Sequence, residues 1–242
     1  RRRISRRKQK KKERQRMKKL GLLVAVEIDA VLQTMGTIIN QERCFGFPVY
    51  TYQFAGGELY VIHTGAGELA AAAAAQLLIC RYGVETVVNF GVVGGLTPDM
   101  ALCQCCVVES VVHYDFDTSA LDHCEVGRYV EDYPTVYLPA TAALVEKAVQ
   151  AAPELQRVIC ASGDKFLADP EKKAELNRRY GAKICEMEAA GVVLTCNRSG
   201  VDCLLIKAVS DSVSGGAGEY EKMMLQASKT CLQAAARIME EL

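Results

Sequence analysis

The chain has 242 residues, half of them hydrophobic, and its 29 Lys and Arg balance its 29 Asp and Glu. That length suits a single globular domain with a large core. The composition excludes disorder, a collagen-like repeat and a coiled coil, and no uninterrupted apolar run reaches the ~18–20 residues of a membrane span.

The zero net charge averages two unlike segments. Residues 1–16 (RRRISRRKQKKKERQR) carry eleven Lys/Arg against one acid, and the remainder carries 18 bases against 28 acids. Such a run reads as a nucleic-acid arm, a targeting signal or a stretch extraneous to the fold. It lacks the apolar centre of a secretory signal, and MKKLGLLVAV runs from Met17 straight into a strand. One domain is therefore expected over 17–242, with 1–16 an extraneous, disordered extension and no nucleic-acid partner. Eleven cysteines without a secretion signal point to a reducing, cytoplasmic setting. Cys103, Cys105 and Cys106 cluster, but not at zinc-ligand spacing, so they read as a buried turn and no metal is expected.

Lys19–Val26 is a near-continuous apolar run, the mark of a strand buried on both faces. Glu27–Met35 has helical spacing, with Gly36 as its stop. Phe47–Phe54 and Leu59–His63 flank a Gly-Gly turn and read as a hairpin. Thr64–Cys80 is a Gly-x-Gly turn running into an alanine-rich helix, small enough in side chain to lie close on a sheet. Strands follow at Val84–Phe90, Val107–Val112, Gln156–Ser162 and Val201–Val209. Helices are predicted over Thr141–Ala151, Asp169–Tyr180, with Asp169 as N-cap and Pro170 at its first position, and Glu219–Leu242. Alternating strands and helices predict an α/β three-layer sandwich around a mostly parallel or mixed sheet.

Ligands in such folds bind where strand ends meet loops. Four segments put polar or glycine residues there. Gly65-Ala-Gly67 offers backbone N–H groups for an anion or a sugar, or is a packing turn. Glu186-Met187-Glu188 sets two acids at a strand-to-helix junction, either buried at a cost of several kcal/mol or solvated at the helix start. Asp211 closes a core strand after Ser210 and is a general acid or a helix cap. Phe166 stacks on a flat ligand or belongs to the core.

Taken in order, these pieces resemble the nucleoside phosphorylase superfamily, and within it the 5′-methylthioadenosine/S-adenosylhomocysteine nucleosidase branch. The matching segments are Ala25-Val-Glu-Ile-Asp29, Gly65-Ala-Gly67, Asn89-Phe-Gly-Val-Val-Gly-Gly95, Tyr114-Asp-Phe-Asp117, Ser162-Gly-Asp-Lys-Phe166, Glu186-Met-Glu188-Ala-Ala and Val209-Ser-Asp211. The resemblance implies hydrolysis of the N-glycosidic bond of 5′-substituted adenosines, no cofactor, and a homodimer, which the apolar stretch at Val107–Val112 and the loop after it would accommodate. It assigns Asp211 to the purine N7 with Ser210 beside it, Phe166 and Leu167 to the base, Met187 and Glu188 to the ribose, and Gly94 to the loop beneath the nucleoside.

The match departs from the family around the incoming nucleophile. Asp29 stands where the family has the glutamate that positions water, Val92 where it has a serine, and Lys207 where it has an arginine. Asp29 is the expected base, with Glu27 as its substitute, and Lys207 keeps the charge without the guanidinium fork. Asn89 and Val92 replace the phosphate-holding arginine and serine of the phosphorylases, so water is favoured over phosphate. A phosphorylase using Lys207 and a non-catalytic nucleoside-binding relative are the alternatives.

Overall fold

The computed structural model describes residues 18–242. The basic run and the expectation attached to it lie outside these residues.

Apolar runs become strands with no wet face. In β1 (Lys19–Val24) Leu22, Leu23 and Val24 are fully buried. The strand lies parallel to both β4 (Gly57–His63) and β5 (Thr86–Gly95). Helix α1 (Ile28–Thr34) follows β1. The predicted hairpin is β3 (Phe47–Phe54) and β4, closed by Ala55 and Gly56, both at positive φ, the two-residue geometry that matches strand twist. A second turn of the same kind at Phe45-Gly46 adds β2 (Ile38–Cys44), which the sequence reading missed. This edge strand is exposed or half-buried throughout, so it carries no hydrophobic alternation to detect.

The alanine-rich helix α2 (Glu68–Leu77) buries Ala71, Ala74 and Ala75 and packs on α6 (Ala189–Ser199). It runs on as a π turn through Tyr82 to Gly83. Strand β6 (Cys105–His113) is joined by a long connection, with a short helix α3 (Ser119–Asp122), to β7 (Tyr137–Pro139). The chain then continues through α4 (Ala142–Ala151), β8 (Gln156–Ser162), α5 (Pro170–Tyr180), the three-residue β9 (Ile184–Glu186), α6, β10 (Asp202–Asp211) and α7 (Ala217–Glu240).

The sheet is mixed, as expected, in the order β10-β6-β8-β9-β5-β1-β4-β3-β2. Strand β10 also pairs with β5, so β5, β10, β6, β8 and β9 close a five-stranded ring from which β1, β4, β3 and β2 extend. Helix α7 lies on β10 and β5. The stretch Val107–Val112, expected near a subunit interface, instead runs inside β6 between β10 and β8. Val107, Val108, Val111 and Val112 are fully buried there, which removes them as a free surface.

Candidate active site

A cleft opens where the ends of β1, β5, β9 and β10 converge with the loop after β8 and the first turn of α7.

Backbone irregularity aims the side chain at the end of β10. Val209 pairs with Val93, but the next partner of Gly94 is Asp211, so Ser210 is an extra residue in the ladder. Such a bulge bends the strand and re-aims the next side chain. Ser210 Oγ lies 3.2 Å from Val93 O and 3.0 Å from Asp211 Oδ1. The other carboxylate oxygen, Oδ2, is 2.6 Å from Lys173 Nζ on α5, in an ion pair with both side chains buried. Lys173 also donates to Ser212 O at 2.7 Å and Gly215 O at 3.2 Å, so all three of its protons are used. Gly94 leaves room for this pair: a Cβ there would sit 3.1 Å from both Asp211 Oδ2 and Cys185 Sγ.

The carboxylate at the end of β1 that lines the cleft is Glu27. It is 3% exposed, and its two oxygens accept from Val92 N at 2.8 Å and Val26 N at 3.0 Å. Asp29, two residues on, is exposed in the first turn of α1 and does not line the cleft. Phe166 is 48% exposed at the cleft wall, edge-on to Tyr220 of α7 at 5.5 Å, leaving a ring face open. Burial raises the Tyr220 hydroxyl, and the charges of Glu27, Glu188 and Asp211 raise it further, so one ring lies in the field of all three carboxylates.

At the cleft floor is a buried acid cluster, of which Glu186 and Glu188 line the cleft. Glu186 pairs with Lys207 at 3.0 Å and accepts from the backbone N–H groups of Glu188 and Ala189. Glu188 accepts from Gly67 N at 2.9 Å; burial and then the Glu186 charge push its carboxyl up to about 7, against the pull of Lys207. Lys207 donates to Asn89 Oδ1 at 2.6 Å. Burial works against its charge, but Glu186 and Glu188 outweigh burial and raise it. Both acids of the Glu186-Met187-Glu188 junction are therefore buried and partnered, not solvated.

Comparison with known proteins places the chain in a family. The phosphorylase superfamily model (PNP_UDP_1) matches residues 20–242. The chain belongs to the phosphorylase superfamily. It is 30% identical over 203 residues to the 5′-methylthioadenosine/S-adenosylhomocysteine nucleosidase of Shewanella putrefaciens, covering 81% of this chain and 87% of that one. Among solved structures it resembles the nucleosidase of that name from Helicobacter pylori (TM-score 0.89, 25% identity, 94% of this chain and 100% of that one). It resembles the futalosine hydrolase of the same species equally well (TM-score 0.88, 25% identity, 93% and 99%). The likeness to the superfamily's nucleosidases read from the ordered motifs is thus borne out.

Within this superfamily fold, Gly94, Phe166, Leu167, Met187, Glu188, Ser210 and Asp211 all reach the cleft, together with Glu27 and Val92. Two sequence expectations are corrected. Asp29 is turned away, because residues two apart at a helix start are about 200° apart around its axis, and Glu27 faces in. Lys207 does not line the cleft; it is only 2% exposed and spends its protons on Asn89 and Glu186. Lys173 and Glu68 were missed. Lys173 falls on the stripe Lys173, Leu176, Tyr180 that α5 buries, a spacing visible in the sequence. Glu68, as an acid in a first helical turn, reads as an ordinary partner of the helix dipole.

Proposed function

We propose that the protein hydrolyses the N-glycosidic bond of 5′-substituted adenosines, methylthioadenosine and S-adenosylhomocysteine among them. The observation that carries this is the pairing state of the ions around the cleft: Glu27 lines it as a carboxylate, while Lys207, the cation expected beside it, is already engaged elsewhere. A carboxylate held by two backbone amides suits the orientation of water and repels phosphate.

In the reaction, the C1′–N9 bond breaks with its electron pair passing to the purine. Water adds to C1′ and loses a proton to Glu27. The Asp211–Lys173 pair protonates N7, making the base a neutral leaving group. Phe166 stacks on the base, with Leu167 alongside. Met187 packs against the sugar, and Glu188 accepts from its hydroxyls. Stabilising charge as it develops is where such a site gains rate.

The test is adenine release from methylthioadenosine and S-adenosylhomocysteine, with and without phosphate, and base release from futalosine beside them. Phosphate-independent adenine release supports the reading. Strict dependence on phosphate replaces it with a phosphorylase, and exclusive cleavage of futalosine replaces the substrate. The homodimer is part of the same proposal, with exposed Leu121 and Val130 of the loop after β6 as its apolar contacts. A concentration-independent monomer in light scattering would remove it.

A further inference from the structure

The first residue of α2 lies behind the proposed ribose clamp with its carboxyl buried. Glu68 is 6% exposed, and Oε2 accepts from Gly191 N on α6. The approach is close enough that a Cβ on Gly191 would meet Glu68 Oε2 at 2.9 Å. Its Oε1 contacts Ser162 Oγ at the end of β8, and that same hydroxyl is 2.6 Å from Glu186 Oε1 and accepts from Ala190 N at 3.1 Å.

A proton count decides the state of this chain. A serine hydroxyl has one proton and two lone pairs. Ala190 N–H takes one lone pair, leaving one donor and one acceptor site to face two carboxyl oxygens. The serine proton satisfies one carboxyl, so the other must bring its own. Glu186 is an acceptor throughout, toward Lys207 Nζ, Glu188 N and Ala189 N. The extra proton therefore belongs on Glu68.

We propose that Glu68 is a positioning residue that acts as a neutral carboxylic acid, completing a hydrogen-bond chain from Glu68 through Ser162 to Glu186 that fixes the start of α6 and the Glu188 clamp. This rests on the function proposed above.

Around Glu68 stand Glu186 of β9, Glu188 at the start of α6, Asp164 after β8, Tyr114 and Tyr129 after β6, and Lys207 of β10 behind Glu186. Burial and then the charges of Glu186 and Glu188 push the Glu68 carboxyl up to about 8, against the hydrogen bonds of Ser162 and Gly191. Above that pH two anions share the single proton of Ser162. Their repulsion loosens Glu186 from the N–H groups that set Glu188. Nucleoside binding weakens, while turnover of bound substrate changes less.

The experiment is a pH series of kcat and KM for adenine release by the wild type, Glu68→Gln and Glu68→Ala, with infrared difference spectra of wild type against Glu68→Gln at pH 7. An amide reproduces the neutral acid, donating to Ser162 and accepting from Gly191. Glu68→Gln is expected to move the alkaline limb of kcat/KM upward by about one pH unit or more. Glu68→Ala should raise KM by up to about tenfold at neutral pH with less effect on kcat, the scale of one lost hydrogen bond between neutral groups. The wild type should show a carboxylic-acid stretching band that Glu68→Gln lacks. An unshifted limb or a missing band overturns the proposal, and melting curves identify a Glu68→Ala protein that has not folded. The band reports on Glu68 even if the wild type cleaves no nucleoside, so failure of the hydrolysis reading is distinguishable.

Discussion

Two carboxylates two residues apart, Glu27 and Asp29, differ in everything that matters for catalysis. Glu27 is buried with both oxygens on backbone amides, and Asp29 is exposed on α1. Glu27→Gln is expected to lower kcat by about 10²–10⁴-fold, the usual contribution of a positioned base. Asp29→Asn should stay within about threefold, as surface substitutions away from special features do. Steady-state kinetics on methylthioadenosine would compare them directly. At the other end of the reaction, Asp211→Asn should nearly abolish turnover. Lys173→Met leaves the Asp211 charge buried without its partner, which costs about 3–5 kcal/mol where such pairs are broken, so the protein should melt earlier as well as turn over more slowly. Denaturant titrations of the two variants would separate these effects. Counting along the sequence picks out the right residue types here, but which of two neighbouring acids turns inward depends on where β1 stops and α1 begins, a boundary that apolar patterning leaves uncertain by a residue or two.

At the scale of elements, the site depends on short, irregular pieces. The long apolar strands and the alanine-rich helix were legible because burial on both faces writes a continuous hydrophobic run. The three residues of β9 and the bulge at Ser210 write no such pattern, although both sit at the cleft. Helix α5 is a further case: its boundaries were readable from Asp169 and Pro170, yet its task of carrying Lys173 to Asp211 was not, since a lysine among EKK is ordinarily a solvated one. The cap is real: Asp169 Oδ1 accepts from Glu171 N at 2.9 Å. Asp169→Ala should cost about 1 kcal/mol in urea unfolding. Because Lys173 lies near that first turn, it should also reduce kcat more than KM changes, while an equally costly cap loss elsewhere would leave both alone.

For the whole molecule, the buried acids make stability depend on pH in an unusual direction. Glu68 near 8 and Glu188 near 7 lie above the ordinary carboxyl value of 4.5. The folded state therefore keeps protons that the unfolded state releases, and stability contributed by these two groups is complete below pH 4.5 and is lost as pH rises through 7 and 8. Urea midpoints measured from about pH 5 to about pH 9 should fall more steeply for the wild type than for Glu68→Gln; parallel curves would place the proton elsewhere. The closed ring of β5, β10, β6, β8 and β9 has a separate consequence. Strand β5 has three neighbours, β1, β9 and β10, whereas β2 has one. In native-state hydrogen exchange the amides of β2 and β3 should open first, by fraying from the free edge. Those of β5 and β10 should exchange only with global unfolding, so the outer hairpins can breathe or accept inserted residues while Glu27 and Asp211 keep their spacing across the cleft.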